Sequence, residues 1–500
     1  MTVKRYAVPF EEALTMTGYS KYNLLVFVLV GSIVMGMAFE MLSVSYLVPA
    51  SACELGTTGA QQGLMASMPI AGVIIASQIW GYLADTKGRK LTLIISMTMG
   101  FLAGAIASFS PNWIVLSVFK FISSASVAGA YALSVTLLSE CTPIEKRQFL
   151  LILSTSVFLS SSGIMAVISI PILPLRFSYY MPYLGIYFNS WRVLGLIYAL
   201  PCAIAAIGVA CAYESPKYLL SIGKEKEALE VLKGIYQMNH GKSVEHFQVE
   251  SLVLEEGSTS VQKGFWGSIS QQILPMLKPP LLKYTILLSI LFVINYMCMT
   301  SFQVWMPYMV NAFVSSIGVI EDLSICQMIR LTANATTTGT EDLCVMDSFA
   351  MIAVFVLSLI LAFLNLIMSG VLKFVGRKKI FIGLQLVGGV ACLSMNFVQI
   401  WLITAFLYII FMSGSINFGF LSTFSVDIFP TYVRALAVSL TLMLGRGSAV
   451  FGINMLKNLL DNNCEAAFYT FGAIAFSGGM IGMLLPSDAT ILGKKVPNES

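Results

Sequence analysis

Glu140-Cys141-Thr142-Pro143-Ile144-Glu145-Lys146-Arg147 and Asp427-Ile428-Phe429-Pro430-Thr431-Tyr432-Val433-Arg434 carry one signature twice, acid-x-x-Pro-x-x-x-Arg, at an interval of 287 residues. Gly88-Arg89-Lys90 returns as Gly376-Arg377-Lys378 after 288 residues. Two unrelated signatures that share nearly one period mark an internal duplication. Both copies follow corresponding apolar runs in the same chain direction. The halves are therefore parallel repeats related by an axis along the membrane normal.

The sequence around these signatures is mostly lipid-soluble. At 57% hydrophobic, 11% charged and a mean hydropathy of +0.83, the chain lies far from soluble domains, which carry about 25% charged residues. Runs long enough to cross about 30 Å of hydrocarbon fall near 23–49, 62–84, 89–109, 112–138, 148–171 and 192–213, and again near 284–311, 347–372, 378–398, 400–427, 434–457 and 466–486. The expected fold is an all-α integral membrane protein of twelve transmembrane helices in two six-helix repeats. Its parts are an N-terminus over 1–22, a first half over 23–213, a linker over 214–283, a second half over 284–486 with a loop at 312–346, and a tail over 487–500. The first run is too long for a signal-peptide core and is read as a retained helix.

With the N-terminus in the cytosol, 23 of the 29 Lys and Arg fall on that side, and Arg176, Arg192, Arg330 and Lys457 fall outside. That bias places both termini in the cytosol, whether the membrane is the plasma membrane or an intracellular vesicle. Lys120 and Arg446 lie within helices. In the linker, Ala228, Leu229, Leu232, Ile235 and Tyr236 share one face of an amphipathic helix over Lys224 to Tyr236. The outside loop holds Cys326 and Cys344, candidates for a disulfide in an oxidising compartment, and the sequon Asn334-Ala335-Thr336, a glycosylation acceptor on that side only. Gly241-Lys242-Ser243 ends like a P-loop, but Tyr236 stands where the opening glycine is needed and no strand precedes it. The residues supply no metal-ligand spacing, catalytic nucleophile, cofactor motif or nucleic-acid signature.

Gly81-Tyr82-Leu83-Ala84-Asp85-Thr86-Lys87-Gly88-Arg89-Lys90 resembles the segment between helices two and three of the major facilitator superfamily. Glu214-Ser215-Pro216-Lys217-Tyr218-Leu219 and the segment Asp427 to Arg434 resemble its sugar-porter and organic-ion branches. Phe10-Glu11-Glu12-Ala13-Leu14 through Tyr22, with Glu40-Met41-Leu42-Ser43-Val44, resembles most closely the synaptic vesicle glycoprotein two group. The resemblance spans about residues 8 to 490 and implies the major facilitator fold, with two halves rocking about a central site. The chain departs from that group at Met37, where relatives carry an acid, at Lys120, where an Arg is usual, and at Lys373, which takes the place matching Asp85.

Glu40 is the one acid deep within a predicted helix, where a charge costs about 2.5–3.5 kcal/mol unless it meets a partner or a cavity. Glu40, Lys120 and Arg446 fall at broadly similar depths, so a pair between opposite charges is expected. Two readings of Glu40 and Lys120 stand open: a proton or cation site with an alternating partner, and a fixed structural salt bridge. Arg446 is a candidate contact for an anionic substrate group, or else bonds to helix-ten carbonyls or Asn417. Asn295, Tyr296, Phe302 and Trp305 on helix seven, and Tyr408 and Asn417 on helix ten, are candidate cavity residues. Gly81, Asp85, Gly88, Arg89, Glu140 and Arg147, with Asp427 and Arg434 in the second half, form candidate gates at the cytosolic helix ends. The function expected is secondary transport of a small organic ion or polar metabolite, with protons as a coupling partner. The alternative is a transporter-like receptor or scaffold.

Overall fold

The computed structural model describes residues 7–241, 247, 249–253, 279, 281–315, 323–330, 346–429 and 431–486; within these, the side chains of 148, 369, 373 and 431–436 are left aside. Twelve long helices carry the fold. The first half comprises α1 (Lys21–Leu42, continuing as Val44–Leu55), α2 (Gly59–Lys87), α3 (Arg89–Ala107), α4 (Trp113–Ser126 and Ala130–Glu140), α5 (Ile144–Ile172) and α6 (Ser190–Cys211). The second comprises α7 (Leu281–Asn295, then Tyr296–Thr300 and Ser301–Ser315), α8 (Ser348–Val375), α9 (Arg377–Ser394), α10 (Trp401–Met412 and Asn417–Ile428), α11 (Thr431–Asn462) and α12 (Cys464–Gly482). Ten of these are long and apolar enough to cross a membrane. In α12 polar and small residues dilute the apolar run.

Local chemistry explains several boundaries. A Thr58–Gln61 capping box opens α2, and the Asn112 and Asn463 side chains accept the N–H groups of Val115 and Ala466 at the starts of α4 and α12. The duplicated glycines turn the chain between paired helices: Gly88 has φ +98° and Gly376 φ +85°, which a side chain would strain. That requirement explains why glycine recurs in both copies of the signature.

Helices α1, α4, α7 and α10 are each interrupted: at Ser43, over 127–129, by a π turn at Tyr296–Thr300 and by a 3-10 turn at Ser413–Ile416. Interruptions of this kind bend a helix and frequently mark functional sites. Small residues let two of the broken helices meet, since a Cβ on Gly414 would lie 3.0 Å from the Met299 sulfur.

The halves share one core at one end only. Tyr46, Leu47 and Met65 join Trp305, Met309 and Leu460 in a continuous apolar cluster at the end far from the termini. Toward the termini the cores separate, one built on Phe10, Leu93 and Leu232 and the other on Phe292, Phe381 and Phe424. The linker helix Glu225–His240 buries Ala228, Val231, Leu232 and Ile235. Asn239 ties it to α1, accepting the Tyr22 N–H (3.0 Å) and donating to the Thr17 and Gly18 carbonyls. Two short strand pairs complete the fold: Ala7–Pro9 with Ser251–Val253, parallel, and Tyr179–Met181 with Ile186–Phe188, antiparallel.

One expectation is corrected. Cys326 is bonded to Cys464 at the start of α12, not to Cys344. Proximity in sequence misled, because the segment 325–330 folds back over α12, where Arg330 also pairs with Glu465. Cys53 is disulfide-bonded too. Cys344 and the Asn334 sequon lie outside the described residues.

Candidate functional site

Glu40 sits one turn before the break in α1, and Lys120 reaches it from α4 with Nζ 2.9 Å from Oε2; both side chains are buried, at 0% and 1% exposure. The Ser123 hydroxyl donates to the same oxygen at 2.5 Å. The other carboxylate oxygen, Oε1, has no hydrogen-bond partner. Helix α3 comes so close that a Cβ on Gly104 would lie 2.2 Å from Oε1. Cys202 of α6 closes the remaining side, with its sulfur packed on Gly36 of α1 and Gly100 of α3. The pair is thus enclosed by α1, α3, α4 and α6, within one half of the molecule.

Arg446 is not drawn into this site. It is partly exposed on α11, and among the described residues it makes no ion pair or hydrogen bond, so Asn417 is not its partner. Asn417 instead donates from Nδ2 to Gln385 Oε1 on α9 (2.8 Å), leaving Asn417 Oδ1 and Gln385 Nε2 unpartnered. Asn295, fully buried beside the π turn, has neither amide atom satisfied. Unpaired amides at buried helix breaks are costly unless a ligand or water meets them.

The candidate aromatics divide. Phe302 packs edge-on against Phe411 and Phe471, and Trp305 donates to the Ile453 carbonyl (3.1 Å), so both are core residues. Tyr296 is only partly buried, against Phe418 at 4.5 Å. Tyr131 of the opposite half, whose hydroxyl meets Thr155 at 3.1 Å, lies near it. Polar contacts also cross between the halves, Asn365 to Ser156 (3.1 Å) and Asn454 to Ser67 (3.0 Å).

At the termini face, Arg89 reaches Glu140 at 3.4 Å and Asp85 at 3.8 Å and lies over the Tyr218 ring. Glu140 also accepts the Ser215 hydroxyl. The Glu214 carboxylate accepts the N–H groups of Arg89 and Lys90, capping α3. Arg147 pairs with Glu11 (2.9 Å), and Asp427 pairs with Arg377 (2.5 Å). These ion pairs each lie within one half. Gly81 is open enough for a Cβ, and the Arg434 side chain is outside the described set. Burial raises the Cys141 thiol beside this cluster to about 12, which leaves it protonated and inert.

At the far face the structure adds roles for Arg192 and Lys457, which the sequence reading set at the outer ends of two apolar runs and counted only as outside charges. Arg192 is fully buried and donates to the carbonyls of Ser108, Ser110 and Tyr187 and to Glu54 at 2.7 Å. Glu54 also accepts from Trp191 and Asn189. Lys457, at 4% exposure, pairs with Asp461 (2.8 Å) and lies over the Tyr308 ring. Lone acids at Glu54 and Asp461, near the outer ends of apolar runs, were the available signal.

Comparison with known proteins adds independent findings. The model of the Major Facilitator Superfamily matches residues 28–336. Synaptic vesicle glycoprotein 2C of Mus musculus is 29% identical over 238 residues, covering 47% of this chain and 32% of its own length. Organic cation/carnitine transporter 7 of Arabidopsis thaliana is 27% identical over 229 residues, covering 46% and 43%. The chain therefore matches less than half the length of these curated relatives. Among solved structures, the xylose transporter XylE from E. coli in its inward open conformation aligns with TM-score 0.67 and 13% identity, over 93% of this chain and 97% of that one. The nucleoside transporter NupG aligns with TM-score 0.63 and 11% identity, over 93% and 100%. At such identities the agreement concerns the fold.

Proposed function

The chain belongs to the Major Facilitator Superfamily, and on that premise we propose that it carries a small organic ion or polar metabolite across the bilayer by alternating access, with Glu40 as its proton or cation site. The halves share a core at the far end and have separate cores toward the termini. With both termini in the cytosol, this is the arrangement of a carrier open to the cytosol and closed to the outside or to a vesicle lumen. Substrate meets the faces that carry Tyr131, Tyr296 and Arg446, and the unpaired amides of Asn295 and Asn417 form the polar floor. The charged pairs at the termini face brace each half when the carrier opens there.

The observation that carries this reading is the buried Glu40–Lys120 pair with its unpartnered carboxylate oxygen. The pair bridges α1 and α4 away from water, where a charge is costly without its partner, so a change in the α1–α4 contact changes what Glu40 can hold. A structural salt bridge is the rival. Breaking one buried partner costs about 3–5 kcal/mol, whereas replacing both with apolar or neutral groups is often tolerated.

Two variants separate the readings in proteoliposomes offered a pooled panel of labelled organic cations, anions and sugars, with and without an inward proton gradient. Under the coupling reading, Glu40→Gln with Lys120→Met folds and binds substrate but no longer accumulates it against the gradient. Gradient-driven accumulation by that double variant would leave the pair a purely structural role. A folded natural chain that moves nothing would point to a receptor or scaffold.

A further inference from the structure

A cavity of about 350 Å³ lies in the far half of the second repeat, between the outer parts of α7, α8 and α10. Its size falls within the roughly 300–1,000 Å³ of small-molecule sites. None of its lining residues is charged; the only hydroxyls are those of Thr404 and Tyr408. On α8 the lining runs from Phe349 to Ile360, about 17 Å of helix and so about one leaflet. Phe349, Ile352 and Trp401 line the mouth and are 63%, 47% and 48% exposed. The mouth therefore faces lipid, with a tryptophan at the depth where such rings anchor.

Tyr408, on the inner wall, is only 7% exposed, and its hydroxyl has no hydrogen-bond partner. Thr404 already donates to the Ile400 carbonyl, so Tyr408 holds the one buried, unpartnered polar side-chain atom among these lining residues. A water needs two to four polar partners to settle in such a place, and apolar cavities stay dry. A lipid head group stays at the interface, about 10 Å outward along α10 from residue 408.

We propose that this cavity is a binding site for a neutral lipophilic molecule of about steroid size, which enters sideways from the far leaflet and gives one carbonyl or ether oxygen to the Tyr408 hydroxyl. The apolar body fills the space between α8 and α10, and the single acceptor satisfies the orphaned donor. The site lies in one half, away from the Glu40–Lys120 pair, and does not depend on the transport reading. Because it touches α7 and α10, both interrupted helices, occupancy tunes their bending.

The test is photolabelling of the full chain in proteoliposomes with promegestone, a photoreactive steroid enone, with peptides mapped by mass spectrometry. Saturable labelling on α8 and α10, competed by excess unlabelled steroid, is expected. Ala353→Trp fills the cavity and abolishes it; Leu357→Phe does the same more gently if the tryptophan variant misfolds. Tyr408→Phe weakens competition about fivefold, the loss of one net hydrogen bond. Labelling that cannot be competed, that maps to other helices, or that survives both filled variants overturns the proposal.

Discussion

In the first half, α4 brings Lys120 to Glu40 and α3 sets Gly104 against the carboxylate. At the repeat interval of 288 residues, α10 carries Tyr408 and α9 carries Cys392. There the neighbours are uncharged: Cys392 donates to the Phe468 carbonyl and Cys298, from α7, to that of Phe471. One position in a duplicated scaffold is thus an ion pair in one half and a neutral, aromatic-walled core in the other. The lesson is a division of labour. At this register the first half holds a buried charge that needs its partner, and the second half sets neutral atoms whose packing needs none.

The largest expected effect tests that division directly. Lys120→Met leaves Glu40 buried without its cation and lowers stability by about 3–5 kcal/mol. Tyr408→Phe, at the matching register, removes a hydroxyl that has no partner, so stability changes by less than about 1 kcal/mol. Thermal unfolding of the two variants in nanodiscs provides the measurement. Equal losses would mean that burial, not charge, sets the cost at this register.

A smaller contrast concerns the space around the pair. Gly104→Ala places a methyl where Glu40 Oε1 stands, and overpacking of this kind costs about 1–3 kcal/mol. Cys392→Ala, its counterpart, loses one buried sulfur and about 1 kcal/mol. Adding Glu40→Gln to Gly104→Ala gives a loss that departs from the sum of the single losses, because the two residues touch. Strict additivity in unfolding would show that α3 yields at Gly104 and that the close approach is slack.

Much of this architecture could be read before any coordinates. The repeated signatures, the apolar runs and the lone acid in the first helix were visible because hydrocarbon length and buried charge leave strong marks on composition. The Glu40–Lys120 contact followed from depth along two helices and opposite sign. What stayed hidden depends on rotation about the helix axis and on chain folding outside the membrane. Depth left Arg446 within reach of Asn417, but the turn of each side chain about its helix could not be read, and Asn417 bonds Gln385 instead. Gln385 gave no sign that it would take Asn417. Arg192 and Lys457 read as outside charges at the ends of their runs, and only packing buried them. Cysteines close in sequence suggested a bond that the fold gives to Cys464.

The smallest effect comes from the gate pairs, where the halves again differ at matching positions. Arg89 meets Glu140 and Arg377 meets Asp427, acid and base in each pair being 287 and 288 residues from their counterparts. Glu140 is 9% exposed by side chain and also holds Ser215, whereas Asp427 is 36% exposed. Arg89→Gln therefore leaves a nearly buried carboxylate short of its cation and costs about 1–3 kcal/mol, while Arg377→Gln breaks a wetter pair worth about 0–1 kcal/mol. Raising salt weakens the second pair more than the first, because exposed charges are the ones screened. Unfolding of both variants at low and high ionic strength tests this order. If Arg377→Gln proves the more damaging, the second half's gate carries the tension, and the division of labour runs opposite at the termini face to its direction in the membrane.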